Sequence, residues 1–145
     1  MLTDSILKSL NLSSPDELIG WTYADPSWAR IAALVPVVVG CAEDGDGVAN
    51  QILNEAVEEL AVTVKAVVQR LGLCGADGSG EFPVVLVGGV LIAANKKWDI
   101  GQKVVDCLIR TYPGAFPVRP KVEPAVGAAL LACNFYMKEK ERNLT

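Results

Sequence analysis

The chain has 145 residues, of which 51% are hydrophobic and 21% charged, and its net charge at pH 7 is −4. This length suits one domain with a single core, and the lack of a basic stripe argues against nucleic acid as a partner. No apolar run approaches the roughly 20 residues of a membrane-spanning helix, and the N-terminus does not resemble a signal peptide. We therefore expect a cytoplasmic protein that does not bind membranes.

The first part of the chain is predicted to be helical. Short helices are expected at 2–10 and 15–24, and a third begins at 25–27 and runs to about Cys41. Pro36 should bend or divide this third helix, because proline lacks an amide hydrogen and clashes with the preceding turn.

The longest predicted helix covers about 48–71. Asp46 is expected to cap its start and Gly72 to end it. Apolar residues recur every three or four positions and predict the face that lies on a sheet, namely Val48, Ile52, Ala56, Leu60, Val64, Val67 and Leu71. A glycine-rich connector over 74–81 follows this helix.

The stretch after the connector is the most informative of the chain. A strand is predicted over about 83–88, and its apolar run suits a parallel sheet covered on both faces. It leads into Gly88 and Gly89, and ligands of open α/β sheets bind beyond the carboxyl ends of the strands. Two glycines leave the backbone open to a ligand, although a tight strand-to-helix turn without ligand would give the same pattern.

The remaining elements form one strand between two helices. A helix near 100–112 is expected to begin after Asp99, and a second strand is expected over about 117–122. A last helix opens at Glu123-Pro124. In the helix near 100–112, four apolar residues are expected to face inward, namely Ile100, Val104, Val105 and Leu108.

The fold class that follows is α/β, mostly helical, with two parallel strands. Two strands flanking one helix make a single βαβ unit, and a two-stranded sheet is marginal by itself. The elements therefore look like part of a larger fold.

Residues that could carry metal or nucleophilic chemistry are few. The chain has four widely spaced cysteines and no histidine, so neither a zinc site nor a Ser-His-Asp arrangement is expected. We interpret the cysteines as reduced core thiols. The acidic loop 43–47 does not complete the ligand register of a calcium loop. No catalytic residue and no metal ligand are assigned.

The order of these elements carries a resemblance to a known family. The segment 29–34, Ala-Arg-Ile-Ala-Ala-Leu, comes first. It is followed by a long helix, the strand Val-Leu-Val-Gly-Gly-Val, a helix, a short strand and the helix Glu-Pro-Ala-Val-Gly-Ala-Ala. From about Leu2 to Cys133, the chain resembles the carboxyl-terminal part of N-acetylglucosamine kinases and the related BadF/BadG/BcrA/BcrD ATPases. These belong to the actin, sugar kinase and Hsp70 superfamily. The resemblance implies that 1–145 form a single incomplete second lobe, ribonuclease-H-like and actin-like, without the amino-terminal lobe.

The resemblance also implies a set of nucleotide contacts. Carried over by position, Gly88 and Gly89 would lie along ATP, Ala93 near the adenine or ribose, and Asn95 would be a polar contact. Ala33 would belong to the opposite wall of the adenine pocket. The Asp-Gly-Gly-Gly-Thr-type phosphate hairpin, the catalytic aspartate and the sugar-holding residues lie upstream in the family and are absent from this chain.

Two functions follow from these observations. The first is the nucleotide-side segment of an ATP-dependent N-acetylglucosamine kinase, using ATP with Mg²⁺ in the intact enzyme and inactive alone. Its partners would be ATP or ADP and an amino sugar held through the missing lobe. The alternative is a non-catalytic fragment that binds nucleotide or another protein, since its apolar surface would be adhesive. A homodimer fits either function.

Overall fold

The computed structural model describes residues 1–92 and 98–142, and these ranges contain eight helices and two strands. The helices are α1 (Leu2–Leu10), α2 (Glu17–Ala24), α3 (Trp28–Ala32), α4 (Val35–Glu43), α5 (Gly47–Leu71), α6 (Gly89–Ile92), α7 (Ile100–Thr111) and α8 (Pro124–Arg142). The strands are β1 (Phe82–Val85) and β2 (Ala115–Val118). The prediction of a mostly helical chain with two parallel strands is confirmed.

The predicted third helix is divided, as expected. Its two parts are α3 and α4, and Pro36 lies in the first turn of α4. Amides of a first turn have no partner within the helix, so proline is tolerated there and not in the middle of a continuous helix.

Helix α5 is held at both ends as its sequence predicts. One carboxylate oxygen of Asp46 accepts a 3.0 Å hydrogen bond from the amide of Ala49, and the other accepts one of 3.0 Å from the amide of Leu2. Gly72 ends the helix with a φ of 63°, a conformation that favours glycine. Asp46 therefore caps α5 and joins it to α1.

The predicted inward face of α5 is wrong. The buried residues are Ala49, Leu53, Val57, Ala61 and Val68. In the predicted stripe, Val64 is half-buried, Ala56 is exposed, and the other five side chains are 40% to 65% exposed. Apolar residues cover more than half of the helix circumference, so their spacing alone could not show which part of this arc α4 and α7 would cover.

The two strands are shorter and earlier than the predicted 83–88 and 117–122. They are parallel, with Phe82 opposite Ala115 and Val85 opposite Val118. A further hydrogen bond of 3.1 Å joins the amide of Leu86 to the carbonyl of Val118. Beyond this bond the chains turn away, and Pro120 has no amide hydrogen with which to extend the ladder.

The core lies around α5, which packs against both α4 and α7. All four residues of α7 predicted to face inward are buried. A second cluster connects α5 with the sheet and contains Val68, Phe82, Tyr112 and Ala115. Of the cysteines, Cys41 is buried but Cys133 is exposed, so the interpretation as core thiols is wrong for Cys133.

Helix α8 lies outside this core. Apart from the half-buried Gly127, every residue of α8 whose burial is described is exposed. Four of its large apolar side chains are 55% to 66% exposed, namely Leu130, Leu131, Phe135 and Tyr136. No helix in the described part of the chain combines the length and apolar character needed to cross a membrane.

Candidate functional site

The turn after β1 contains two glycines with different structural requirements. Gly88 has a φ of 96°, which disfavours any other residue. Gly89 begins α6 without a positive φ, and a Cβ added there would meet no atom within 4 Å. The positive φ of the turn therefore requires a glycine at 88. At 89, neither the backbone conformation nor contact with the described residues requires one.

A cleft of about 630 Å³ opens at the carboxyl ends of both strands. We call it the strand-end cleft. Its lining consists of 86–89 and Ile92 after β1, and of 119–124 after β2. Parallel strands present their carboxyl ends at one edge of the sheet, where ligands of α/β proteins bind.

A smaller cavity of about 300 Å³ lies between α4 and the glycine turn. We call it the alanine cavity. Its lining is apolar throughout and consists of Ala32, Ala33, Val35, Pro36, Val39, Gly89, Val90 and Ile100. A small apolar cavity of this kind can accommodate a flat aromatic ring. Gly89, a residue without a side chain, lines both this cavity and the strand-end cleft.

The structure places the predicted site residues as follows. Gly88 lines the strand-end cleft, Ala33 lines the alanine cavity, and Gly89 lines both. Ala93 and Asn95 lie outside the described residues. The geometry therefore brings Ala33 close to the glycine turn from a distant part of the sequence, and their roles toward a nucleotide remain predictions.

The sequence reasoning missed two basic residues of the site. Arg119 and Lys121 follow β2 and line the strand-end cleft. Their position just after a strand parallel to β1 was the signal that could have identified them, because parallel strands end at the same edge.

Other features of the chain lie away from these two cavities. A third cleft, of about 490 Å³, is lined by residues of both α5 and α7 and has a mixed lining that includes Glu58, Lys103 and Arg110. Among 1–92 and 98–142, no group of three or more Cys, Asp or Glu side chains could hold a metal ion.

Two carboxyl groups have clearly lowered pKa values. Hydrogen bonds from backbone amides, that of Ala49 first, lower the pKa of Asp46. Hydrogen bonds from the hydroxyl and amide of Ser79 lower the pKa of Asp77. Neither aspartate lines the strand-end cleft or the alanine cavity, so these shifts reflect a helix cap and a turn.

Comparison with known proteins identifies the family of this chain. Residues 7–132 match the model of the BadF/BadG/BcrA/BcrD ATPase family. The chain belongs to this family, which confirms the resemblance seen in the sequence.

Two relatives extend the comparison. The chain is 34% identical over 136 residues to "N-acetyl-D-glucosamine kinase" of Dictyostelium discoideum, covering 92% of this chain and 40% of that protein. It is 32% identical over 133 residues to "N-acetylmuramic acid/N-acetylglucosamine kinase" of Clostridium acetobutylicum, covering 91% and 41%. The chain thus spans about two fifths of the length of these relatives. No solved structure matches it significantly.

Proposed function

We propose that the chain is the nucleotide-side segment of an ATP-dependent amino-sugar kinase, which transfers the γ-phosphoryl group of ATP to a hydroxyl of N-acetylglucosamine. The observation that carries this proposal is that Gly89, in the turn after β1, lines both the alanine cavity and the strand-end cleft. A Cβ added at this position would meet no protein atom within 4 Å, so the space beside Gly89 is open to a ligand. The names of the two relatives, both N-acetylglucosamine kinases, support the choice of sugar.

In this proposal the adenine ring occupies the alanine cavity, against Ala33. The ribose lies along the backbone of Gly88 and Gly89, where the lack of Cβ atoms permits close approach. Ala93 and Asn95 follow α6 in the sequence and are proposed as further contacts to the adenosine.

ATP would act together with Mg²⁺, which neutralises charge on the transferring phosphoryl group. The described residues contain no cluster of carboxylates for such an ion. We therefore assign no metal ligand and no catalytic base to them. In this proposal these residues bind nucleotide, and the chain alone is inactive.

We further propose that residues 1–145 form one incomplete, ribonuclease-H-like lobe, completed by polypeptide that also supplies the sugar site. Two observations support this. The sheet has two strands in the described residues, which is marginal for independent stability. The apolar side chains of α8 and of one flank of α5 are exposed, as expected for surfaces that further strands or a second lobe would cover.

The nucleotide site is tested by Gly89→Ala. The added methyl group meets no atom within 4 Å, so the fold should be retained. We expect ADP affinity, measured by titration calorimetry, to fall about tenfold or more, because the methyl group occupies the ligand's space. The matched control is Gly20→Ala in α2, where a Cβ also meets nothing, and its ADP affinity should equal that of the wild type. Equal ADP affinity of Gly89→Ala and the wild type would place the site elsewhere.

The alternative function, a non-catalytic fragment that binds nucleotide or another protein, is favoured by the exposed apolar residues of α8. A coupled assay of N-acetylglucosamine phosphorylation by the 145-residue chain, with ATP and Mg²⁺, separates catalysis from binding. We expect no turnover by the chain alone, and turnover would contradict the assignment of the chemistry to other polypeptide. Sedimentation of the same sample would show whether the chain forms the homodimer that both functions permit.

A further inference from the structure

We propose that Arg119 and Lys121 contact phosphate groups of the nucleotide in the strand-end cleft. This inference rests on the proposed nucleotide site and adds to it the residues that recognise the anionic part of the ligand. Both side chains line the cleft across from the glycine turn. They come from the segment directly after β2, which leaves the sheet at the same edge as Gly88.

The two cavities that Gly89 lines differ in their chemistry. The alanine cavity is lined by apolar residues and glycine alone, whereas the strand-end cleft contains Arg119, Lys121 and Glu123. A ligand that crosses Gly89 would therefore have its apolar, flat part in one space and its charged part in the other. A nucleotide has this division between its base and its phosphates, and the geometry points to the orientation with the base toward Ala33.

Within the described ranges, no other residue engages the charged groups of these two cations. Neither forms an ion pair or a hydrogen bond with another residue of the described ranges. Arg30 and Lys103, by contrast, have contacts within the fold: Arg30 donates to the carbonyl of Trp21, and Lys103 lies over the ring of Trp98.

The charge of the cleft favours an anionic ligand. Glu123 is the single carboxylate in its described lining, so two cations and one anion leave an excess of one positive charge. Arginine suits phosphate oxygens because its planar guanidinium presents paired N–H donors, and lysine adds a compact charge. Because both side chains are exposed, their effect on binding should weaken as salt concentration rises.

The test compares ADP with adenosine as probes of the 145-residue chain. The double variant Arg119→Gln/Lys121→Gln should bind ADP about tenfold more weakly than the wild type, since each charge-assisted hydrogen bond contributes measurably. Its affinity for adenosine, which has no phosphate, should be unchanged. The matched control is Lys138→Gln/Lys140→Gln, which removes the same charge from the exposed far end of α8 and should alter neither affinity.

The outcomes distinguish this inference from the function on which it rests. If the wild type binds neither ADP nor adenosine, the proposed nucleotide site is wrong, and the inference with it. If the wild type binds both and the double variant retains its ADP affinity, only the inference is overturned. An equal loss of ADP and adenosine affinity would also overturn it, because the effect would not depend on phosphate.

Discussion

The indole nitrogen of Trp98 donates a 2.9 Å hydrogen bond to the side-chain carbonyl of Asn50. The side-chain nitrogen Nδ2 of Asn50 in turn donates hydrogen bonds of 2.9 Å to the backbone carbonyls of Ala42 and Asp46. Trp98 is 5% exposed and directly precedes the cap of α7. One polar side chain therefore joins the end of α4, the start of α5 and the entry to α7. These contacts fix the scaffold that carries the alanine cavity.

Asn50→Ala should destabilise the chain by about 1–3 kcal/mol, because it leaves the buried indole N–H of Trp98 without its acceptor. Urea denaturation provides the measurement. The control is Gln51→Ala, whose side chain bonds only with the exposed carboxylate of Glu55 among the described residues and should have a much smaller effect. Equal losses in the two variants would show that the Asn50 bonds contribute little.

Gly101→Ala should destabilise the contact between α6 and α7. A Cβ at Gly101 would collide with the carbonyl oxygen of Leu91, and backbone atoms cannot move away as a flexible side chain can. We expect a loss of about 1–3 kcal/mol in a thermal unfolding experiment, typical of overpacking. In Gly40→Ala, the matched change within α4, the Cβ meets nothing within 4 Å, and stability should be retained or raised. A Gly101→Ala variant as stable as Gly40→Ala would show that the two helices separate easily.

Tyr112→Phe should leave stability unchanged or raise it by up to about 1 kcal/mol. The hydroxyl of Tyr112 is buried and has no hydrogen-bond partner within the described ranges, so its removal eliminates an unsatisfied polar group. The edge-to-face contact with Phe82, with ring centroids 6.0 Å apart, would be retained. Tyr112→Ala, which loses the ring, should cost about 3–5 kcal/mol in the same urea titration. A marked loss in Tyr112→Phe would indicate that the hydroxyl has a partner beyond the described residues.

The stability of the chain should depend on the ionisation of Asp46. Hydrogen bonds from the amides of Ala49, Leu2 and Val48 and the charge of the N-terminus lower its pKa below the ordinary value of 3.8. A lowered folded-state pKa means that the stabilisation is fully present above pH 3.8 and is lost as the pH falls through the folded value. The stability difference between wild type and Asp46→Asn should therefore be largest near neutral pH and shrink in acid, as followed by urea midpoints.

The control for this pH series is Asp44→Asn, which removes the same charge, two residues away, from a side chain that does not cap α5. It should change stability less than Asp46→Asn near neutral pH. A pH-independent difference between wild type and Asp46→Asn would contradict the role of the charged form.

Interactions within a few residues determined much of this structure, and the sequence was sufficient to predict that part. As predicted, Asp46 caps α5 by accepting a hydrogen bond from the amide of Ala49, and Asp99 caps α7 by accepting one from the amide of Gln102. Gly72 ends α5, also as predicted. Pro36 divides a helix because its ring removes the amide hydrogen and clashes with the preceding turn. The apolar stripe of α7 also lies inward as predicted, because the opposite side of the helix is polar and carries residues such as Gln102, Asp106 and Arg110.

The tertiary structure decided what depends on contacts between distant segments. Helix α5 has a wide apolar arc, and the packing of α4 and α7 selected the part that is buried. The strands end where their pairing ends, a property of two segments together. The site has the same origin: Ala33, Gly89 and Arg119 belong to segments far apart in the chain, and only the folded backbone brings them around two cavities that share Gly89. Sequence patterns report local preferences, whereas a binding cleft is defined by the relative positions of elements that the sequence does not place side by side.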